Sequence, residues 1–329
     1  MSNSAEARRG SANGTARKQK ESISADCLGQ PSATLAGNAF DEPNGDAMPS
    51  AFLADRRLIR VSGTGAEEFL NNLITADVEN LPQGEARASA LLTPQGKILF
   101  DFLIARDGPD YLIESGAAEQ DALLRRLTMY KLRAPVDLKA EPIEGVSVFW
   151  SESVPEAGAK DGRFDKAGIN LFRVPGASAS GDITAYDALR IEYGIAESGR
   201  DYALQDAFPH DVLMDVNDGV SFKKGCFVGQ EVVSRMKHRG TARRRVVTVS
   251  AESALPATGT EITANGKTVG ALGTVCGNTG LAIVRTDRVA DALASATPLI
   301  AENVPVTVAL PAWSGISFPV VDPAVQAEE

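Results

Sequence analysis

Residues 221–245 read SFKKGCFVGQEVVSRMKHRGTARRR. Between Lys223 and Arg245 this stretch carries eight Lys or Arg side chains against one acid, Glu231, in a chain whose formal net charge is −10. A local reversal of sign this strong marks a docking place for an anionic partner. Gly225 and Gly229 bracket Cys226-Phe227-Val228, and a helix is expected to start at Gln230. Cys226 would then lie near a helix N-terminus with Lys223 and Lys224 beside it, and both features favour thiolate. The plainer alternative, a small cysteine packed in a glycine-flanked turn, stays open.

The cations that follow divide the possible partners. Phosphate and carboxylate are the anions that an arginine cluster serves. Arg243, Arg244 and Arg245 are consecutive, which costs repulsion without building one helical face. Only Phe227 interleaves an aromatic ring, no RNA-binding motif is present, and the chain as a whole is acidic, so direct nucleic-acid binding is not expected. A small anionic ligand fits better. No second Cys or His stands at motif spacing from Cys226, so no resident metal is expected, and a cluster held there would need another protein or subunit.

Outward from this segment, 329 residues imply more than one folded unit. No apolar run approaches the roughly 18 residues of a spanning helix, so no membrane insertion is expected. Cys27, Cys226 and Cys276 are odd in number and far apart in sequence, which reads as reduced thiols in a cytoplasmic protein. Residues 1–47 have few large apolar groups and are expected to form a disordered tail. Their first 20 residues carry five cations and one acid, as an organelle transit peptide would, but without a bounded amphipathic helix.

The region 48–245 is expected to be one α+β domain. Phe52–Val61 reads as a strand, and Thr64 with Glu67 matches a capping box ahead of a helix with Phe69, Leu70, Leu73 and Ile74 on one face. Ala88–Leu92 and Ile98–Ala105 form a hairpin across Thr93-Pro94-Gln95-Gly96-Lys97. Tyr111–Ile113 continues the sheet, and Asp121–Tyr130 is a second helix. The order suggests a sheet with helices on one face. After a loop-rich stretch with a short strand at Asn170–Val174, Asp182 caps a third helix that Gly194 stops. Glu192 falls in its last turn, against the negative end of the helix dipole. That placement suits a carboxylate accepting paired N–H donors from a planar amidine-like edge, as on a pterin. Residues 246–322 alternate short β-type runs with turn residues and are expected to form a small β-barrel.

KKGCFVGQE followed by MKHRGTARRR closely resembles the signature of the YgfZ family, folate-binding proteins related to the T-protein of the glycine cleavage system and to mitochondrial iron–sulfur assembly factors of the same group. FLNNLITADV, LLTPQGKILFDFLI, MYKLRAPVDL and ALRIEYGI resemble further family segments. The resemblance implies a T-protein-like core with a ferredoxin-like component, a C-terminal small β-barrel, and tetrahydrofolate or another folate derivative as ligand. It also implies a role in assembling or repairing iron–sulfur clusters for client enzymes, including those that modify tRNA, with client or assembly proteins as partners. Lys224, Gly225, Cys226, Gly229, Gln230 and Glu231 fall on the signature, and Glu192 falls where the T-protein group contacts the pterin. The anionic tail of folate would meet Arg235, Arg239 or Arg243. In IESGAAEQD, Asp121 keeps the place of the T-protein's essential acid, while Glu114 replaces an Asn. The alternative activity is therefore aminomethyl transfer with Asp121 as the polar catalytic group. Cys226 and Lys224 carry the chemistry in the first reading. His210-Asp211 has no assignment from sequence.

Overall fold

The computed structural model describes residues 48–151 and 158–320. The expected disordered tail and Cys27 lie outside the described residues. The first half is built from β1 (Ser50–Ser62), α1 (Ala66–Asn71), β2 (Glu85–Leu92), β3 (Ile98–Asp107), β4 (Asp110–Gly116), α2 (Gln120–Lys131), β5 (Asp137–Trp150), β6 (Ala159–Asp161), α3 (Gly162–Lys166), β7 (Leu171–Pro175) and α4 (Ile183–Tyr193). Its strands close on themselves in the order β1-β4-β3-β2-β6-β7-β5. The sheet is therefore a barrel, where sequence suggested a sheet covered on one face. Closure depends on β5, which pairs antiparallel with both β1 and β7. DLKAEPIEGVSVFW gives a poor strand signal because its first eight residues are all exposed or half-buried, and only Val146 and its near neighbours enter the core.

Alternation along the strands separates two faces. Ile59, Val61, Phe102, Ile104, Tyr111 and Ile113 face outward under α1 and α2, where Phe69, Leu70, Leu123 and Leu127 pack on them. Fully burying side chains such as Leu70 and Leu127 contributes about 1.5–3 kcal/mol each. The predicted capping box does not form: Gly65 is the N-cap of α1, with no side-chain hydrogen bond. Glu67 instead binds the Arg106 guanidinium and accepts from Tyr111 Oη at 2.9 Å. Arg106 also donates to the carbonyls of Leu81 and Val78, pinning the chain between α1 and β2. α4 behaves as expected, with Asp182 accepting from Thr184 N–H and Gly194 ending the helix at φ 69°.

The second half contains α5 (Gln230–Arg239), then β8 (Arg244–Ser250), β9 (Glu261–Ala264), β10 (Lys267–Cys276), β11 (Thr279–Arg285), α6 (Thr286–Ala294), β12 (Leu299–Ala301) and β13 (Val304–Ala309). Its strands form the expected barrel, closed in the order β10-β11-β8-β13-β12-β9 around Val247, Val249, Leu272, Val284, Leu299 and Val308. Both barrels belong to one compact unit. Arg190 of α4, fully buried, ties them together: it donates to Asp201 at 2.9 Å, to the Ile195 carbonyl at 2.9 Å and to Thr274 Oγ1 of β10 at 3.0 Å.

Candidate functional site: the signature loop and the barrel lumen

The KKGCFVGQE segment is held by two contacts that its sequence does not advertise. Gly229 caps α5 at φ 80°, and a Cβ there would lie 2.6 Å from the Thr93 carbonyl and 3.1 Å from Gly96 Cα. Gly96, at φ 79°, faces Val232 just as closely. Two glycines in the left-handed region thus let the start of α5 seat on the Thr93–Lys97 turn of the β2–β3 hairpin. The second contact is Lys224. Its ammonium donates to the carbonyls of Asn71 at 2.7 Å, Ile74 at 2.5 Å and Ala76 at 2.8 Å, and lies 5.0 Å from the Phe227 ring centroid. Burial pushes it down to about 8, against the pull of Asp77 and Glu79. Ser221 N–H reaches the Thr75 carbonyl, and Thr75 Oγ1 donates to Gly219 O. FLNNLITADV, LLTPQGKIL and KKGCFVGQE therefore meet at one place.

This geometry corrects the sequence view of Lys224: it points into the chain and satisfies carbonyls at and beyond the end of α1. Cys226 itself is exposed, and so is Gly225, around which a Cβ would find nothing within 4 Å. Unlike Gly229, Gly225 is not required by the packing. The thiol precedes the α5 cap by three residues on an open loop, so the packed-cysteine alternative does not hold. Gln230 is half-buried in the first turn of α5. Glu231, on the same turn, is exposed and binds Arg235 one helical turn on.

The arginines expected to act as one anion clamp are dispersed. Arg235, Arg239 and Arg243 are exposed on α5 and the link to β8, with Arg243 4.0 Å from Asp287. Arg245 is buried, donating to Asp215 at 2.7 Å and to the His210 carbonyl at 2.5 Å. None of the three lines a described cavity, because α5 runs over the surface and turns only Val233 fully inward. His210, unassigned from sequence, is buried beside Phe222 with neither ring nitrogen hydrogen-bonded, and burial pushes its imidazole down to about 4. Asp211 is buried next to it. Burial raises its carboxyl to about 6 despite the Phe208 N–H that it accepts at 3.1 Å.

The lumen of the first barrel holds charges that, Glu114 apart, sequence reading passed over. Arg173 makes a bidentate bond to Glu114 and a 3.1 Å bond to Asp161, while Arg56 reaches Glu197 at 2.8 Å. Burial alone would push the Glu197 carboxyl up, but Arg56, Arg190, Arg163 and Arg173 outweigh it and hold it well below the usual carboxylate range. Tyr186 Oη donates to Glu197 at 2.9 Å. The available signal was a lone charge at an inward strand position, as with Arg173 in LFRVP; Arg56, between Asp55 and Arg57, gave none. On one side of this network the lumen opens into a 330 Å³ chamber lined by Leu58, Leu103, Ala105, Leu112 and Val146, with polar groups from Glu114 and Arg173 and from Gln83, Arg106 and Asp107. On the other side Arg56, Asp101, Glu197 and Tyr202 enclose only 30 Å³.

Glu192 takes no part in either space. α4 turns Arg190 and Ile191 inward, so Glu192, one residue further round the helix, is exposed. The nearby inward carboxylate is Glu197. Asp121 is likewise exposed in the first turn of α2, away from the cavities. No group of three His, Cys, Asp or Glu side chains among the described residues is placed to hold a metal ion. No described helix is long and apolar enough to cross a membrane.

Comparison with known proteins places these features. The GCVT N-terminal domain family matches residues 55–144, and the CAF17 C-terminal beta-barrel domain family matches residues 243–316. An iron–sulfur cluster assembly factor IBA57 homolog, mitochondrial, from Pyricularia oryzae is 31% identical over 282 residues, covering 73% of this chain and 72% of that protein. Mitochondrial IBA57 of Mus musculus is 29% identical over 330 residues, covering 87% of this chain and 90% of its own length. The crystal structure of glycine cleavage system aminomethyltransferase T from Bartonella henselae is similar in fold, with a TM-score of 0.59 at 18% identity over 80% of this chain and 85% of that one. The cytoplasmic location expected from reduced cysteines is overturned by the mitochondrial names of these relatives; a reducing compartment need not be the cytosol. The resemblance to the YgfZ and T-protein group stands at the level of the group, and the relatives found carry the name of its assembly-factor branch. With a relative above 30% identity matched over most of both chains, this protein belongs to the IBA57 family of iron–sulfur cluster assembly factors.

Proposed function

We propose that this chain supports iron–sulfur enzymes, tRNA-modifying ones among them, by offering the Cys226 thiol to a client or assembly protein. One observation carries the reading: Cys226 and Gly225 stand exposed side by side on a loop whose other members are locked by Lys224 and Gly229. A rigid loop with a bare flank beside its thiol suits the close approach of another protein's backbone. One thiol leaves most positions of a cluster to other ligands, so any cluster contact is shared with the partner. The exposed cations Lys223, Arg235, Arg239 and Arg243 favour an acidic partner face. A mitochondrial setting, taken from the relatives' names, belongs to the proposal.

Tetrahydrofolate is assigned to the lumen chamber. The 30 Å³ space beside Glu197 holds a water molecule or two and no pterin, whereas 330 Å³ reaches the lower end of ligand-site volumes. Glu114 and Arg173 would take the polar edge of the ring there, and Leu58, Leu103 and Val146 its faces. Folate, when bound, supplies a carrier for one-carbon units. Aminomethyl transfer is disfavoured by the placement of Asp121, exposed and outside this chamber.

The test is a Cys226→Ala strain in which iron–sulfur enzyme activities are assayed while tetrahydrofolate binding to the purified variant is measured by calorimetry. Loss of the activities with unchanged folate affinity is expected. Full activities would remove the thiol from the function, and absence of heat with wild-type protein would remove folate.

A further inference from the structure

A second ligand-sized space lies where the chain leaving the first barrel meets the C-terminal one. It measures 550 Å³ and is bounded by residues 199–206, by β9 and β10, and by the ends of β8, β11 and α6. Its floor includes Tyr202 together with Leu272 and Ile283, which are buried at 3% and 8% exposure. Its rim carries four guanidiniums, Arg200, Arg244, Arg285 and Arg288. None of these residues belongs to the signature loop's thiol face or to the lumen chamber.

Four guanidiniums meet three carboxylates along this lining, and Asp187, Asp211 and Asp287 just outside it each lie against one of the arginines. Arg244 and Arg285 are direct cross-strand partners, an arrangement of like charges that destabilises a sheet unless anions lie close. Three carboxylates line the same space, but Asp201 is turned away, accepting from Arg190 at 2.9 Å and from the N–H groups of Glu197 and Thr274. Asp206 binds Arg244 through a single N–H at 2.9 Å, and Glu261 accepts only from Thr268 Oγ1 among the described residues. A guanidinium has five N–H donors. Arg285 uses two of them on Asp287, Arg200 donates through two nitrogens to Asp187, and Arg288 uses one on the Thr268 carbonyl. Guanidiniums with unused donors, from different elements, therefore line a space with an apolar floor, at the kind of seam where ligand sites concentrate.

We propose that this cleft binds a small molecule carrying two or more anionic groups, phosphate or carboxylate, on an apolar or aromatic body. The floor takes the body and the arginine rim takes the charges. The inference does not depend on the reading of Cys226 or on folate.

The full-length protein is titrated calorimetrically at low ionic strength with inorganic pyrophosphate and, separately, with tri-L-glutamate. Saturable binding of at least one probe is expected, and which of them binds assigns phosphate or carboxylate chemistry. Arg285→Gln/Arg288→Gln should weaken it at least tenfold, Glu261→Gln should tighten it, and Arg239→Gln, on exposed α5, should leave it unchanged. No saturable binding of either probe at millimolar concentration overturns the proposal. So does an equal loss from Arg239→Gln, which would show attraction to surface charge in general. If the double variant fails to fold, the Glu261→Gln arm decides: unchanged or weaker binding overturns the site.

Discussion

Replacing Lys224 by Met separates a structural clamp from an activator of the neighbouring thiol. The ammonium donates to three main-chain carbonyls, at Asn71, Ile74 and Ala76, and feels Asp77 and Glu79 only through space. Hydrogen bonds to a charged donor contribute about 1.5–3 kcal/mol each. Methionine keeps most of the stem's packing against Phe227, and the cost of burying the ammonium is removed along with it, so the net loss is about 3 kcal/mol rather than the full sum. At roughly 2–4 °C per kcal/mol for a protein above 150 residues, the melting temperature should fall by roughly 6–12 °C. Urea unfolding gives the stability change, and iodoacetamide labelling of Cys226, followed by peptide mass spectrometry across pH, reports on the thiol. The clamp predicts lower stability with no upward displacement of the labelling pH profile. An unchanged unfolding midpoint together with a profile moved to higher pH would refute it and return Lys224 to the role of thiolate partner.

Two further outcomes follow from the same packing. Gly229→Ala must adopt φ near 80° with its Cβ 2.6 Å from the Thr93 carbonyl, and should cost about 1–2 kcal/mol for the left-handed backbone plus a further penalty for the contact. Gly225→Ala, with open space around it, should change stability by less than about 0.5 kcal/mol, and equal effects in urea unfolding would contradict the docking of α5 on the hairpin. For His210, the folded-state value of about 4 lies below the ordinary 6.5, so the unfolded chain binds more protons between these values and stability contributed by the neutral imidazole is lost as pH falls from about 6.5 to 4. Asp211, raised to about 6, works in the opposite sense over about 3.8 to 6, which masks the effect in wild type alone. The stability difference between wild type and His210→Leu isolates it: that difference should move against wild type with a slope of up to about 1.4 kcal/mol per pH unit across the window. A pH-independent difference would show that His210 is not a buried neutral group.

Much of this protein was legible in local sequence. The strands at Phe52–Val61 and Ile98–Ala105, the Thr93–Lys97 turn, the Asp182 cap, the Gly194 stop and the C-terminal barrel all rest on neighbours within a few residues, where period, cap and turn chemistry act directly. The signature also located the exposed thiol. β5 was missed because its first half is only partly covered, and the Thr64–Glu67 pattern misled because Arg106 and Tyr111, from distant strands, bind the same carboxylate more strongly.

What the sequence by itself determined was a group of motifs, a sign reversal in charge and one cysteine in their midst. Only the tertiary structure decided which way each side chain faces. One residue's rotation along α4 exposes Glu192 while Ile191 is buried, and closure of the first barrel puts Glu114 against Arg173, 59 residues away. The same long-range packing turns Lys224 toward carbonyls some 150 residues earlier in the chain. Such pairings are fixed by which elements meet and by the need to satisfy buried charges and backbone groups, and no local pattern encodes that demand.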